Sequence, residues 1–250
     1  MIAKTIDEVI VQLNEIIAAE TLNGSAMAFF PVLYKKVTVR IKTGIESNEF
    51  ENNARMEKLD VLFANRYIDA YRQSTNQKPC SLSWTNAFGA TKEKNLLIMQ
   101  HLLLGINAHI NLDLGIAVAK TVEDDGNLMD FENDFNKINE ILASMVNDVQ
   151  DRIGKVSPMF YLLEKVGKGR EDKIASFSIN IARDGAWLFA NQYHIANDKE
   201  FEIECRDKII GALAIKLTTS KSWLLRSTVK TIRFFETKNV QKVIEILNAA

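Results

Sequence analysis

Apolar residues recur at helical spacing along most of the chain. Ile6, Val9, Ile10, Leu13, Ile16 and Ile17 trace one face of an amphipathic helix, the i, i+3, i+4, i+7 pattern of a 3.6-residue turn. Thr5 precedes that face and Glu8 follows three residues later, which predicts a capping box. Asn23-Gly24-Ser25 breaks the pattern, and a second helix is expected from Ala26 to Ile45, with Pro31 in its early turns as a candidate kink. Its β-branched run Val37-Thr38-Val39-Arg40-Ile41 also suits a strand, although helix is favoured. A third helix is expected from about Phe50 to Arg72, followed by a polar loop from Ser74 to Pro79 and a linker holding Trp84 and Phe88. The most apolar stretch, Leu96 to Ala119, forms a central buried helix of about residues 91–119. Further helices are expected at Phe131–Ile153, up to Val166, at Lys173–Ala196, at Phe201–Leu217 and at Trp223–Leu247, the last broken near Thr237. Between Val166 and Lys173, Gly167 to Arg170 reads as a basic loop. In Lys173–Ala196 the buried face is expected to hold Ile174, Phe177, Ile181 and Leu188. With no repeat and no Gly/Ser linker, residues 1–250 read as a single all-α domain of seven to nine helices.

Composition sharpens this class. Average usage would place about 12 prolines and about 17 glycines in a chain this long; there are 3 and 11. Few breakers favour long helices over a turn-rich β fold. The 31 basic and 32 acidic residues leave a net charge of −1, which argues against a nucleic-acid partner or an anionic membrane surface. Cys80 and Cys205 stand too far apart for a disulfide framework or a cysteine metal site, and each is expected to be a buried apolar residue. The opening segment has no apolar run after Lys4, so a signal peptide is not expected and a cytoplasmic location is. Leu96–Ala119 is long enough to span a bilayer, but Gln100, His101, Asn107, His109, Asn111 and Asp113 interrupt it. A helix packed on nearly every side accounts for it better than a membrane span.

Those polar residues form two stripes at about 100° per residue. Gln100, Asn107 and Asn111 share one; His101, Gly105, His109 and Asp113 share a broader one on the far side. Polar groups inside an apolar helix need hydrogen-bond partners, so each stripe is either a buried network that sets helix register or one wall of a pocket. His109 and Asp113, at i and i+4, can converge on one point. That spacing suits two ligands of a divalent metal ion, or a carboxylate that orients an imidazole. Zinc-dependent phospholipases and nucleases use a helical His-x-x-x-Asp too, but the histidine expected shortly after is replaced here by Val118-Ala119. Asp60, near Phe63, Tyr67 and Tyr71 on the third helix, is a carboxylate in apolar company and a candidate third ligand or base. Arg66 and Asp69 are expected to pair at i, i+3. Arg183 and Trp187, with Asn180, Asn191 and His194, mark the polar side of a later helix, where Trp187 could stack on Arg183 or wall a pocket. Thr121 to Glu132 imitates a calcium loop but opens on Thr121 where Asp is required. Phosphate loops, nucleophile elbows and Cys-x-x-Cys motifs do not occur.

The run from Gln100 to Leu114, with its Gly105-Ile106-Asn107-Ala108-His109-Ile110-Asn111-Leu112-Asp113-Leu114 core, resembles the signature of a bacterial family, domain of unknown function 5995. Leu59 to Tyr67 and Ala182 to Trp187 add to the resemblance, which extends from Asp7 to about His194. It implies that Asn107, His109, Asn111 and Asp113 outrank His101 as site residues, and it implies no activity. Two functions are therefore expected. One is a metal-dependent hydrolase or oxidoreductase using His109, Asp113 and Asp60. The other is a non-catalytic small-molecule binder or helical interaction protein in which the polar network is structural. Asn107, Asn111, Arg66, Tyr67, Arg183 and Trp187 are the candidate ligand-binding residues.

Overall fold

Thr5 caps the first helix as its sequence demands: Oγ1 accepts the Glu8 N–H at 3.2 Å. The Glu8 carboxylate reaches back to the Lys4 N–H at 2.7 Å, so helix α1 runs Ile6–Leu22. A computed structural model describes residues 2–123, 126–167 and 177–249. After a 3-10 turn at Ala26–Ala28, α2 spans Phe29–Glu46. Pro31 lies in its first turn, where a missing N–H breaks no helical bond. The β-branched run is helical within α2. Helix α3, Asn53–Thr75, is capped by the Asn52 side chain.

Trp84 and Phe88 do not lie in a linker. They belong to α4, Leu82–Ala90, whose N-terminus is held twice. Ser81 Oγ accepts the Trp84 N–H, and the Asp207 carboxylate accepts those of Leu82 and Ser83 at 2.5 and 2.9 Å. The central helix α5 covers Ile98–Thr121. It is α-helical to Ala108, widens into a π segment over His109–Leu114, and returns to α geometry at Gly115. By length and composition α5 could cross a membrane, yet 94% of its most apolar window is buried inside the protein. Helices α2, α3, α4 and two later ones, Ile179–Ile195 and Lys199–Thr218, pack around it.

The remaining helices are α6 Glu132–Val156, α7 Tyr161–Gly167, α8 Ile179–Ile195, α9 Lys199–Thr218, α10 Trp223–Phe235 and α11 Val240–Asn248. Eleven helices therefore form among the described residues, with no strand. The count exceeds seven to nine because α4 folds from the supposed linker and the last helix divides. The division has a physical use. Glu236, buried in the break, accepts the Ile98 N–H at 3.1 Å and so caps α5.

Two further expectations are corrected. Cys80 and Cys205 are half-buried. Helix α8 also turns its other face inward. Ile181 and Leu188 are each 71% exposed, while Ala182, Arg183, Ala186, Phe189, Ala190 and Tyr193 are buried. Close approach explains this reversal. A Cβ on Gly115 would lie 2.8 Å from the Ala186 carbonyl oxygen, so the small residues of α8 meet the glycine of α5 and the larger aliphatic ones are left outside. Phe177 is half-buried. Ile174 and the loop residues Lys168 to Arg170 lie outside the described residues.

Candidate functional site

The first polar stripe of α5 faces α9. Gln100 Nε2 donates to the Leu217 carbonyl at 2.9 Å, and Asn107 Nδ2 donates to that of Ile210 at 3.1 Å. Asn111 Nδ2 donates to Asn107 Oδ1 at 3.1 Å. All three residues are buried, and their bonds fix the register of two long helices. Arg206, on α9, donates from Nε to the Asn111 carbonyl at 2.8 Å and from Nη2 to the Gly185 carbonyl at 3.2 Å. It thereby satisfies a carbonyl inside the π segment, where i→i+5 bonding displaces the ordinary α-helical ladder.

The second stripe turns toward α2, α3 and α4. Gly105 admits the Phe30 ring so closely that a Cβ would lie 2.5 Å from it. Two turns on, Asp113 is 1% exposed and fully engaged. Arg66 Nε donates to its Oδ1 at 2.7 Å, and Trp84 Nε1 donates to Oδ2 at 2.8 Å. Arg66 does not pair with Asp69, which lies 3.7 Å from Arg72 instead. Burial alone would raise the Asp113 carboxyl, but Arg66, His109 and Trp84 outweigh it and hold the group below the ordinary carboxylate value. His109 Nδ1 lies 3.4 Å from Asp113 Oδ2. Burial lowers the His109 pKa despite that carboxylate, which favours the neutral ring, and an ionised Asp113 can only accept, which places the ring proton on Nδ1. Its Nε2 is buried and unpartnered. Aromatic rings enclose the imidazole: Phe63 stacks on it at 3.5 Å, and Tyr34 meets it edge-on at 4.4 Å. Tyr67 packs against Phe30 and Trp84, with its hydroxyl buried and unpartnered. His101, at the far end of the stripe, is half-buried against Phe29, and burial pushes its pKa down to about 4.

Beside this network lies a cleft of about 530 Å³ between α2, α3, α5, α6 and the start of α8. Pockets of roughly 300–1,000 Å³ take small organic ligands. Its walls are apolar: Phe63, Leu103, Ile106, Ile110, Ile138 and Leu142 are among them. Of the sequence candidates, Asp60 and Arg183 line it; His109, Asp113, Asn107, Asn111, Arg66, Tyr67 and Trp187 do not. Asp60 is 7% exposed, and its Oδ2 has no hydrogen-bond partner among the described residues. Burial, reinforced by the charge of Glu57, pushes its pKa up to about 7. Tyr34 also lines the cleft, with its hydroxyl beside that of Thr38. Burial and then Asp60 raise its pKa well above the ordinary phenol value, and among the described residues neither hydroxyl has a partner beyond the other. Sequence reasoning missed Tyr34 and Trp84. Neither stands in a polar stripe: Tyr34 lies within an expected helix and reads as core, and Trp84 reads as part of a linker.

Arg183 lies over the Phe135 ring at 4.2 Å rather than on Trp187, which packs against the same ring at 4.8 Å. Its Nε donates to Asn139 Oδ1 at 2.5 Å and its Nη2 to the Phe135 carbonyl at 2.6 Å. Burial lowers its pKa to about 9. Among the described residues, no group of three His, Cys, Asp or Glu side chains converges as a metal site. The calcium-like loop falls partly outside the described residues, at Asp124 and Asp125.

Neither the curated proteins nor the solved structures contain a match to this chain. A family model does match, over residues 6–220, a span that contains α1 to α9 and both walls of the polar network. The chain therefore belongs to the family of unknown function DUF5995.

Proposed function

We propose that the protein binds an apolar small molecule in the cleft between α2, α3, α5, α6 and α8, with Asp60 and Tyr34 meeting its polar atoms. One observation carries this reading. A cleft of about 530 Å³, walled by aliphatic and aromatic side chains, holds Asp60, whose buried Oδ2 has no partner among the described residues, and Tyr34, whose phenol has none beyond the Thr38 hydroxyl. Such groups cost about 1–3 kcal/mol each when left unpaired, and native proteins rarely keep them without a use. The His109–Asp113 pair supports the wall in this reading. Phe63 lines the cleft and stacks on His109, and Asp113 anchors His109 from beneath. The reading thus takes up the binding alternative rather than a metal-dependent hydrolase or oxidoreductase, because both oxygens of Asp113 already accept N–H donors.

Binding of the neutral dye Nile red tests the proposal. The folded protein should give saturable fluorescence enhancement. Leu142→Trp, which fills the cleft from a half-buried wall position, should abolish it with the helical spectrum unchanged. Absence of saturable binding to the folded wild type would overturn the reading.

A further inference from the structure

Arg183 is 3% exposed, yet among the described residues it forms no ion pair. Among the described residues, the acidic charge that acts on it is that of Asp184, its exposed chain neighbour. Other deeply buried charges have counter-ions: Arg66 pairs with Asp113, Arg55 with Asp134 and Arg233 with Glu236. A buried guanidinium without a carboxylate is costly unless something neutralises it.

From this we propose that the occupant of the cleft is an amphipathic carboxylate, its head group held by Arg183 and its chain lying along the apolar walls. The inference rests on the binding reading above and assigns the ligand's charge and shape. Arg183 Nε and one Nη2 hydrogen are already committed to Asn139 and the Phe135 carbonyl. Among the described residues nothing bonds to the opposite edge, formed by Nη1 and the second Nη2 hydrogen. That edge matches a carboxylate in bidentate geometry. Arg183 is the only Lys or Arg among the described residues that line the cleft, so a monoanion balances it better than a phosphate dianion. Ser178, Ile179 and Asn180 line the same cleft and bring the N-terminus of the 17-residue α8 to it, whose dipole adds to the positive field. Asp60 does not oppose an anion where it is protonated, and it then offers a hydrogen-bond donor.

Calorimetric titration of the full chain with palmitate, hexadecanol and hexadecyl phosphate tests the assignment. Palmitate should bind at least about tenfold more tightly than hexadecanol, the effect of one charge-assisted bond pair, and more tightly than the phosphate. Arg183→Leu should erase the preference over hexadecanol and still bind Nile red; Arg183→Lys should retain part of it. Equal affinity for palmitate and hexadecanol in the wild type would overturn the inference and leave the binding reading standing. So would a preference that survives in Arg183→Leu, or tighter binding of the phosphate. Should Arg183→Leu fail to fold, the wild-type comparison and Arg183→Lys decide. Failure of every probe, Nile red included, would instead remove the binding reading itself.

Discussion

Arg66 on α3 reaches Asp113 on α5 with 2.7 Å between Nε and Oδ1, across 47 positions of sequence. The pair joins two helices through a carboxylate that is 1% exposed, so its removal has consequences for the whole core. Trp84 and His109 complete the ring of partners around that carboxylate.

Arg66→Met should destabilise the protein by roughly 2–3 kcal/mol at neutral pH. Breaking a buried pair costs roughly 3–5 kcal/mol, reduced here because the Arg66 side chain is 28% exposed. The pH dependence has a definite sign. Asp113 is depressed in the fold, so its contribution is present above the ordinary carboxylate range and is lost as pH falls through the folded value. Urea titrations should therefore show the deficit at pH 7 and a smaller one at pH 3. A deficit independent of pH would contradict the role of the charge pair.

Asp60→Asn should change the pH slope of stability. The wild-type carboxyl is raised from 3.8 to about 7, so the folded state holds a proton that the unfolded chain releases. Wild-type stability is highest below about pH 4 on this account and declines as pH rises through 7. The variant lacks that decline and should be more stable than wild type at pH 8, by roughly 3–5 kcal/mol. Equal melting-temperature profiles for the two proteins from pH 4 to pH 8 would show that Asp60 is not desolvated.

Two glycine substitutions should act in opposite directions. Gly115→Ala places a Cβ 2.8 Å from the Ala186 carbonyl oxygen, part of a backbone that cannot rotate away. A loss of about 1–3 kcal/mol is expected. Gly154→Ala in α6 meets nothing within 4 Å and should gain up to about 1 kcal/mol from helix propensity. Thermal denaturation of both variants checks the close crossing of α5 and α8.

Zinc should leave the melting temperature of the wild type unchanged. His109 Nε2 is unpartnered, but both oxygens of Asp113 already accept donors from Arg66 and Trp84. A ligand that binds only the folded state raises its stability. A zinc-dependent rise in melting temperature, lost in His109→Ala, would show that the ion displaces one of those donors.

The sequence by itself determined the helical class, because periodicity and capping are local. Thr5 caps α1 as its place before the apolar face requires, although the Glu8 carboxylate returns to the Lys4 N–H and not to that of Thr5. The apolar stretch around Leu102 to Leu114 is the buried centre. Family membership was legible in the Gly105–Leu114 core for a similar reason, since a short motif needs no third dimension. The convergence of His109 and Asp113 at i, i+4 was equally local. Tertiary structure alone decided which partners those residues found. Arg66 chose Asp113 over its near neighbour Asp69 because burial in the core makes an ion pair worth more there than at the surface. The inward face of α8 was decided by fit against Gly115, where small residues pack closer than the aliphatic ones that periodicity favours. The cleft follows from the same cause. Asp60, Tyr34 and Arg183 stand on three different helices, and no spacing along the chain records the space those helices leave between them.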